Sequence, residues 1–67
     1  MKTNYTVSGI DVVLKGYDKD GQHRLEQRFT YNGKEYGTYV VVKEGETEEE
    51  YISPLLQNAE MLIEAVK

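Results

Sequence analysis

The 67-residue chain contains no cysteine. That removes disulfides, thiolate nucleophiles and cysteine-ligated zinc together. Small secreted domains usually depend on disulfides, so a reducing compartment, the cytoplasm, is the expected location. No apolar run approaches the roughly 20 residues needed to cross a bilayer. The N-terminal Met1-Lys2-Thr3-Asn4-Tyr5 is polar and lacks the apolar core of a signal peptide. Pro54 is the single proline, and apolar periodicity runs nearly end to end, so disorder is not expected beyond the first few residues and the Glu-rich stretch. A basic stripe is missing as well. Residues 1–43 carry seven Lys/Arg against five Asp/Glu, a net +2, whereas residues 44–67 carry one Lys against seven Glu, a net −6. Phosphate backbones demand a basic footprint, so nucleic acid is not an expected partner. Neither is a membrane.

This length makes one domain, 1–67, of the size that hides only about 60% of the surface its unfolded chain exposes. The strongest local signal is Asn32-Gly33 between two β-rich runs. Asn-Gly is the preferred pair for a type I′ turn, which needs positive φ at both positions. A two-residue loop fixes the register: Tyr31 opposite Lys34, Phe29 opposite Tyr36 and Leu25 opposite Val40 on one face, Arg28/Gly37 and Glu26/Tyr39 on the other. Asp18-Lys19-Asp20-Gly21 reads as a four-residue turn. It sets Tyr17 against Gln22, Leu14 against Leu25, Ile10 against Phe29, and Asp11 against Arg28 as a cross-strand charge pair. The apolar phase slips between Val7 and Ile10, and Ser8-Gly9 at the slip suggests a bulge.

The predicted fold is therefore α+β, a three-stranded antiparallel meander (strands about 5–16, 22–31 and 34–43) followed by a C-terminal helical region, 48–66, on one face. Thr47-Glu48-Glu49-Glu50 has the form of a capping box, with acidic residues at the positive end of the helix dipole. Pro54 lacks an N–H and disfavours helical geometry at Ser53, which predicts one turn near 48–52, a kink or break, and a main helix over 54–66. Leu55, Leu56, Ala59, Leu62, Ile63 and Val66 form a wide apolar stripe. Their expected counterparts in the core are Ile10, Val12, Leu14, Leu25, Phe29, Tyr36, Val40 and Val42. Gln27 and Thr38 fall on the same face and need partners there.

Chemistry is sparse. Asp18-x-Asp20-Gly21 lacks the glycine and distal glutamate positions of a calcium loop, and turn geometry explains each of its residues. His23, the single histidine, has no neighbouring nucleophile motif and reads as a half-exposed strand residue. We expect no catalytic residue, no metal site and no cofactor. The Glu-rich run reads as capping or as a negative patch that mimics phosphates toward a basic partner. Tyr39, Val13 and Val41 fall on the sheet face away from the helix, where an apolar strip marks a contact surface. Met61 falls near the polar side of the helix.

The order of elements resembles three small families. The hairpin Tyr31-Asn32-Gly33-Lys34 is similar to that of the arm-binding domain of tyrosine integrases. The Gly45-Glu46-Thr47 step into a helix resembles HicB-type antitoxins. Size, charge and architecture resemble the small acidic phage-encoded inhibitors of Cas nucleases. These resemblances lie in topology, and none rests on a specific motif. The expected function is a non-enzymatic, acidic protein-binding module, a regulator or inhibitor carried by a phage or other mobile element, with Tyr39, Val13 and Val41 as hydrophobic contact and Glu46, Glu48, Glu49 and Glu50 as electrostatic steering. The alternative is a structural homodimer joined through the open sheet face or an edge strand.

Overall fold

The computed structural model describes residues 1–67. Four strands and one helix follow in order: β1 (Lys2–Val7), β2 (Ile10–Lys19), β3 (Gln22–Tyr31), β4 (Lys34–Val42) and α1 (Glu49–Val66). The strands form one antiparallel meander, β1-β2-β3-β4. The α+β class and the single C-terminal helix agree with the sequence reading; the strand count is four, not three. The expected strand 5–16 is two strands, because Ser8-Gly9 is a turn and not a bulge. Val7 pairs directly with Ile10, and both turn residues have positive φ, 50° at Ser8 and 80° at Gly9.

All three connections in the sheet share this form. Asp20-Gly21 (φ 53° and 74°) and Asn32-Gly33 (φ 52° and 76°) also turn the chain in two residues with positive φ at both. That is the conformation whose twist matches the flanking strands. Each such turn exchanges the parity of the residues facing the helix: odd in β1, even in β2, odd in β3, even in β4. The phase slip between Val7 and Ile10 is this exchange.

The β3–β4 register is as expected, with Leu25↔Val40, Phe29↔Tyr36 and Tyr31↔Lys34. The β2–β3 register differs. Asp20-Gly21 alone makes the turn, so Lys19 pairs with Gln22, Leu14 with Gln27 and Val13 with Arg28. The shift is an even number of residues, so every side chain keeps its face. It removes the expected pairs Leu14/Leu25, Ile10/Phe29, Tyr17/Gln22 and Asp11/Arg28. Arg28 pairs instead with Glu26 and, at 3.8 Å, with Glu35.

The helix lies on one face, mainly across β3 with contact to β1 and β2, and leaves the outer side of β4 outside its footprint. It is continuous through Pro54, so the expected kink or break is absent. Pro54 is exposed and close to the helix start, where its missing N–H removes one bond to the Glu50 carbonyl, and Tyr51, Ile52 and Leu55 on either side pack against the core. Half of the expected capping box forms. The Thr47 N–H donates to Glu50 Oε2 at 2.8 Å. The Glu50 N–H donates to the Thr47 carbonyl at 3.2 Å, and that tight first turn displaces the Thr47 hydroxyl from the role expected of it.

The core is Val12, Leu14, Leu25, Phe29 and Val42 against Leu55, Ala59 and Ile63. Ile10, Tyr36, Val40, Leu56 and Leu62 pack around it half-buried. Phe29 and Tyr36 stack with centroids 5.2 Å apart. Gln27 sits fully buried among these groups. Its Nε2 donates to the Leu55 carbonyl at 2.7 Å and to Asn58 Oδ1 at 3.2 Å, tying sheet to helix. Its Oε1 has no partner. Thr38, opposite Gln27 in register, is exposed and does not bond to it.

Candidate functional site

One face of a four-stranded sheet is covered, and strand alternation assigns the other. Lys2, Asn4 and Thr6 come from β1; Asp11, Val13, Lys15, Tyr17 and Lys19 from β2; Gln22, Arg24, Glu26, Arg28 and Thr30 from β3; Glu35, Gly37, Tyr39 and Val41 from β4. The face carries five cationic side chains (Lys2, Lys15, Lys19, Arg24, Arg28) against three carboxylates (Asp11, Glu26, Glu35), a net +2. With the whole chain at −4, everything else holds −6. The molecule is a dipole across its thickness.

Tyr39 and Val41 sit together on this face, and the register places Arg24 between Val41 and Tyr17. Tyr39 is 49% exposed, whereas Val13 and Val41 are half-buried. The Arg24 guanidinium lies 4.6 Å from the Tyr39 ring centroid, and Gln22 Oε1 accepts from both its Nε (3.3 Å) and Nη2 (3.0 Å). Tyr39 thus lies under a cation that has no carboxylate partner, an arrangement that keeps a ring and a charge at one contact point. Toward the far end the β2–β3 register stops at Val13↔Arg28. Beyond it the two hairpins part around a cleft of about 540 Å³ bordered by Asp11, Val13, Arg28, Thr30 and Glu35.

The acidic run does not form one patch, and most of it is used internally. Glu46 accepts the Tyr51 hydroxyl and, at 3.1 Å, the Lys43 N–H. These bonds, the Tyr51 one first, hold the Glu46 carboxyl below its ordinary value and push the Tyr51 hydroxyl up. Glu50 caps Thr47. Glu48 turns inward to His23. Glu44 and Glu49 are exposed and make no side-chain bond.

His23 is the feature that the sequence reading undervalued. Its Nδ1 lies 2.7 Å from Asp18 Oδ1 and its Nε2 2.6 Å from Glu48 Oε2. Both ring nitrogens meet carboxylates, so both must donate, and the ring is an imidazolium when both bonds form. The Asp18 bond first and the Glu48 bond second hold its pKa above the ordinary 6.5. Glu48 also takes the N-terminal ammonium at 3.5 Å, and the Gly16 N–H donates to the Met1 carbonyl at 2.8 Å. A Cβ at Gly16 would stand 1.8 Å from Glu48 Oε2, so the missing side chain is what admits the carboxylate. The cluster fastens the start of α1 to β1, β2 and β3. Its carboxylates face different sides of the ring, and no group of acidic or histidine side chains converges as a metal cage. Met61 is 72% exposed beside Gln57, Glu60 and Glu64, an isolated apolar side chain.

No helix is long and apolar enough to cross a membrane. The chain has no match among protein-family models, curated proteins or solved structures.

Proposed function

We propose that this chain is a non-enzymatic protein-binding module whose contact surface is the sheet face opposite the helix, centred on Tyr39 with Val13 and Val41. The observation that carries the reading is the exposed Tyr39 ring pinned under an unpaired Arg24 at 4.6 Å. Tyrosine and arginine are the residues most enriched at binding hot spots, and a ring already held in place loses little freedom on contact. The surrounding +2 face favours an acidic partner surface. Glu46, Glu48, Glu49 and Glu50 lie on the opposite side, where they act through their field by orienting the approach rather than by touching the partner. His23, the one side chain suited to proton transfer near neutral pH, has both nitrogens engaged by carboxylates, which supports a binding role over an enzymatic one.

The test is capture of a partner from the source cell's lysate by the parent, Tyr39→Glu and Met61→Glu proteins. The reading requires capture to fail with Tyr39→Glu, survive with Met61→Glu, and weaken in high salt. Equal capture by all three proteins would refute it.

A further inference from the structure

The reading above takes the Tyr39 side of the sheet as a contact surface, and the next step rests on it: from the self-complementarity of β4 we infer that the free β4 edge bordering that face pairs with a second copy of the chain, strand to strand about a two-fold axis at Tyr39.

The first support is the direction of the backbone. In a two-residue hairpin the residues flanking the turn exchange both backbone bonds, and such pairs then alternate along the ladder. The same phase on the first hairpin puts Met1 opposite Gly16, and the Gly16 N–H does donate to the Met1 carbonyl at 2.8 Å. In β4, Lys34, Tyr36, Thr38, Val40 and Val42 therefore bond inward to β3, and Glu35, Gly37, Tyr39 and Val41 present N–H and C=O at the free edge. The helix does not cover this side, and the strand contains no proline. An uncovered edge of this length is a template for a further strand.

The second support is the order of side chains. The segment reads Lys34-Glu35-Tyr36-Gly37-Thr38-Tyr39-Val40-Val41-Val42-Lys43-Glu44. Laid antiparallel on itself about Tyr39, it sets Glu35 against the partner's Lys43 at the strand end, Tyr36 against the partner's Val42, Thr38 against the partner's Val40, Gly37 against the partner's Val41, and Tyr39 against its own copy; Glu44 already lies in the turn that follows β4. Glu35 meets its opposite in Lys43, twice by symmetry. Centred on Thr38, Glu35 would meet valine; centred on Val40, it would meet glycine. Within residues 34–43, of these three registers only that centred on Tyr39 matches charge to charge. β1, the other edge, offers Lys2 as its one charge and has no such symmetry.

The third support is what remains uncovered. Tyr36, Val40 and Val41 are half-buried and Tyr39 is half-exposed, so an added strand covers apolar side chains on both faces. Glu35 is loosely held, 3.8 Å from Arg28 and 76% exposed. Lys43's own N–H and C=O are taken by Glu46. The backbone ladder accordingly runs from Gly37 to Val41, and each end is closed by the Glu35–Lys43 side-chain ion pair. The contact is small and charge-dependent, which predicts a weak, salt-sensitive dimer.

The experiment is sedimentation equilibrium of the full chain at low and high salt, with the variants Glu35→Lys, Lys43→Glu and the double exchange, each checked for folding by circular dichroism. The parent should approach twice 7.7 kDa at high concentration. Each single reversal turns two attractive pairs into repulsive ones and should weaken association about 30-fold. The double exchange should restore it. Amide exchange at Gly37, Tyr39 and Val41 should slow on dimerisation. A parent that stays at 7.7 kDa, or a dimer indifferent to the single reversals, overturns self-pairing. Capture of a different protein by a monomeric parent in a Tyr39-dependent manner overturns it too, while leaving the binding surface itself standing.

Discussion

Replacing Gln27 with methionine should stabilise the protein, although it removes the only buried polar side chain and two hydrogen bonds. The amide is fully buried at the centre of the sheet–helix interface. It gains two donor contacts, to the Leu55 carbonyl and Asn58 Oδ1, each worth about 1 kcal/mol net. Against this stands Oε1, buried with no partner, a desolvation cost of about 1–3 kcal/mol. Methionine keeps the unbranched shape and fills the same space, so no cavity term arises. The acceptors it abandons are not stranded, since Leu55 lies in mid-helix where its carbonyl has the helical N–H and Asn58 is exposed to water. Two lost bonds of about 1 kcal/mol roughly cancel one relieved orphan of about 2 kcal/mol. Burying an apolar end in place of an amide then adds roughly 1 kcal/mol. The expected outcome is a gain of about 1 kcal/mol, or about 4–8 °C in Tm for a domain of this size. Urea titration with an unchanged slope would measure it. A loss of 1 kcal/mol or more would refute the reasoning, since it would mean that Oε1 is satisfied in solution and the Gln27 network is net stabilising.

Two further predictions concern α1 and its clasp. Because the folded pKa of His23 is raised above 6.5, its contribution to stability is fully present below that value and is lost as pH rises through the folded value. Thermal melts across neutral to mildly alkaline pH should show the decline, and an NMR titration of the ring should give a raised midpoint. Asp18→Asn, Glu48→Gln and Gly16→Ala should each bring that midpoint down, the last because its methyl displaces the Glu48 carboxylate; a midpoint unmoved by all three would dismiss the clasp. Pro54→Ala restores a helical N–H and relieves the ring's crowding of the Glu50 carbonyl, against some gain in unfolded-state entropy. It should raise stability by about 2 kcal/mol, and a destabilised variant in the same urea assay would show that the ring contributes packing at this exposed site.

The turns of this protein are written locally. Asn32-Gly33 announced its hairpin because positive φ at two successive residues strongly selects such pairs, and the β3–β4 register followed from it. Ser8-Gly9 carried the same information as a change of apolar phase, but serine is a weaker signal for positive φ, and the slip read as a bulge. Asp20-Gly21 is hidden in a run of four turn-forming residues, so local sequence predicts a loop two residues too long; the faces survive because the shift is even. The open-face position of Tyr39, Val13 and Val41 was legible for the same reason, since alternation needs only the turn. Other features depended on tertiary packing. Pro54 stays within a continuous helix because apolar residues on both sides of it pack on the core, which outweighs one lost bond. Gln27 finds its partners on a helix that local sequence does not place above it. Asp18 and His23 face each other across the Asp20-Gly21 hairpin, but Glu48 and the N-terminus are distant from them in sequence, and no motif joins the four. They meet because three hairpin turns bring the ends of the strands to one side and the helix begins there, where a glycine leaves room for a carboxylate.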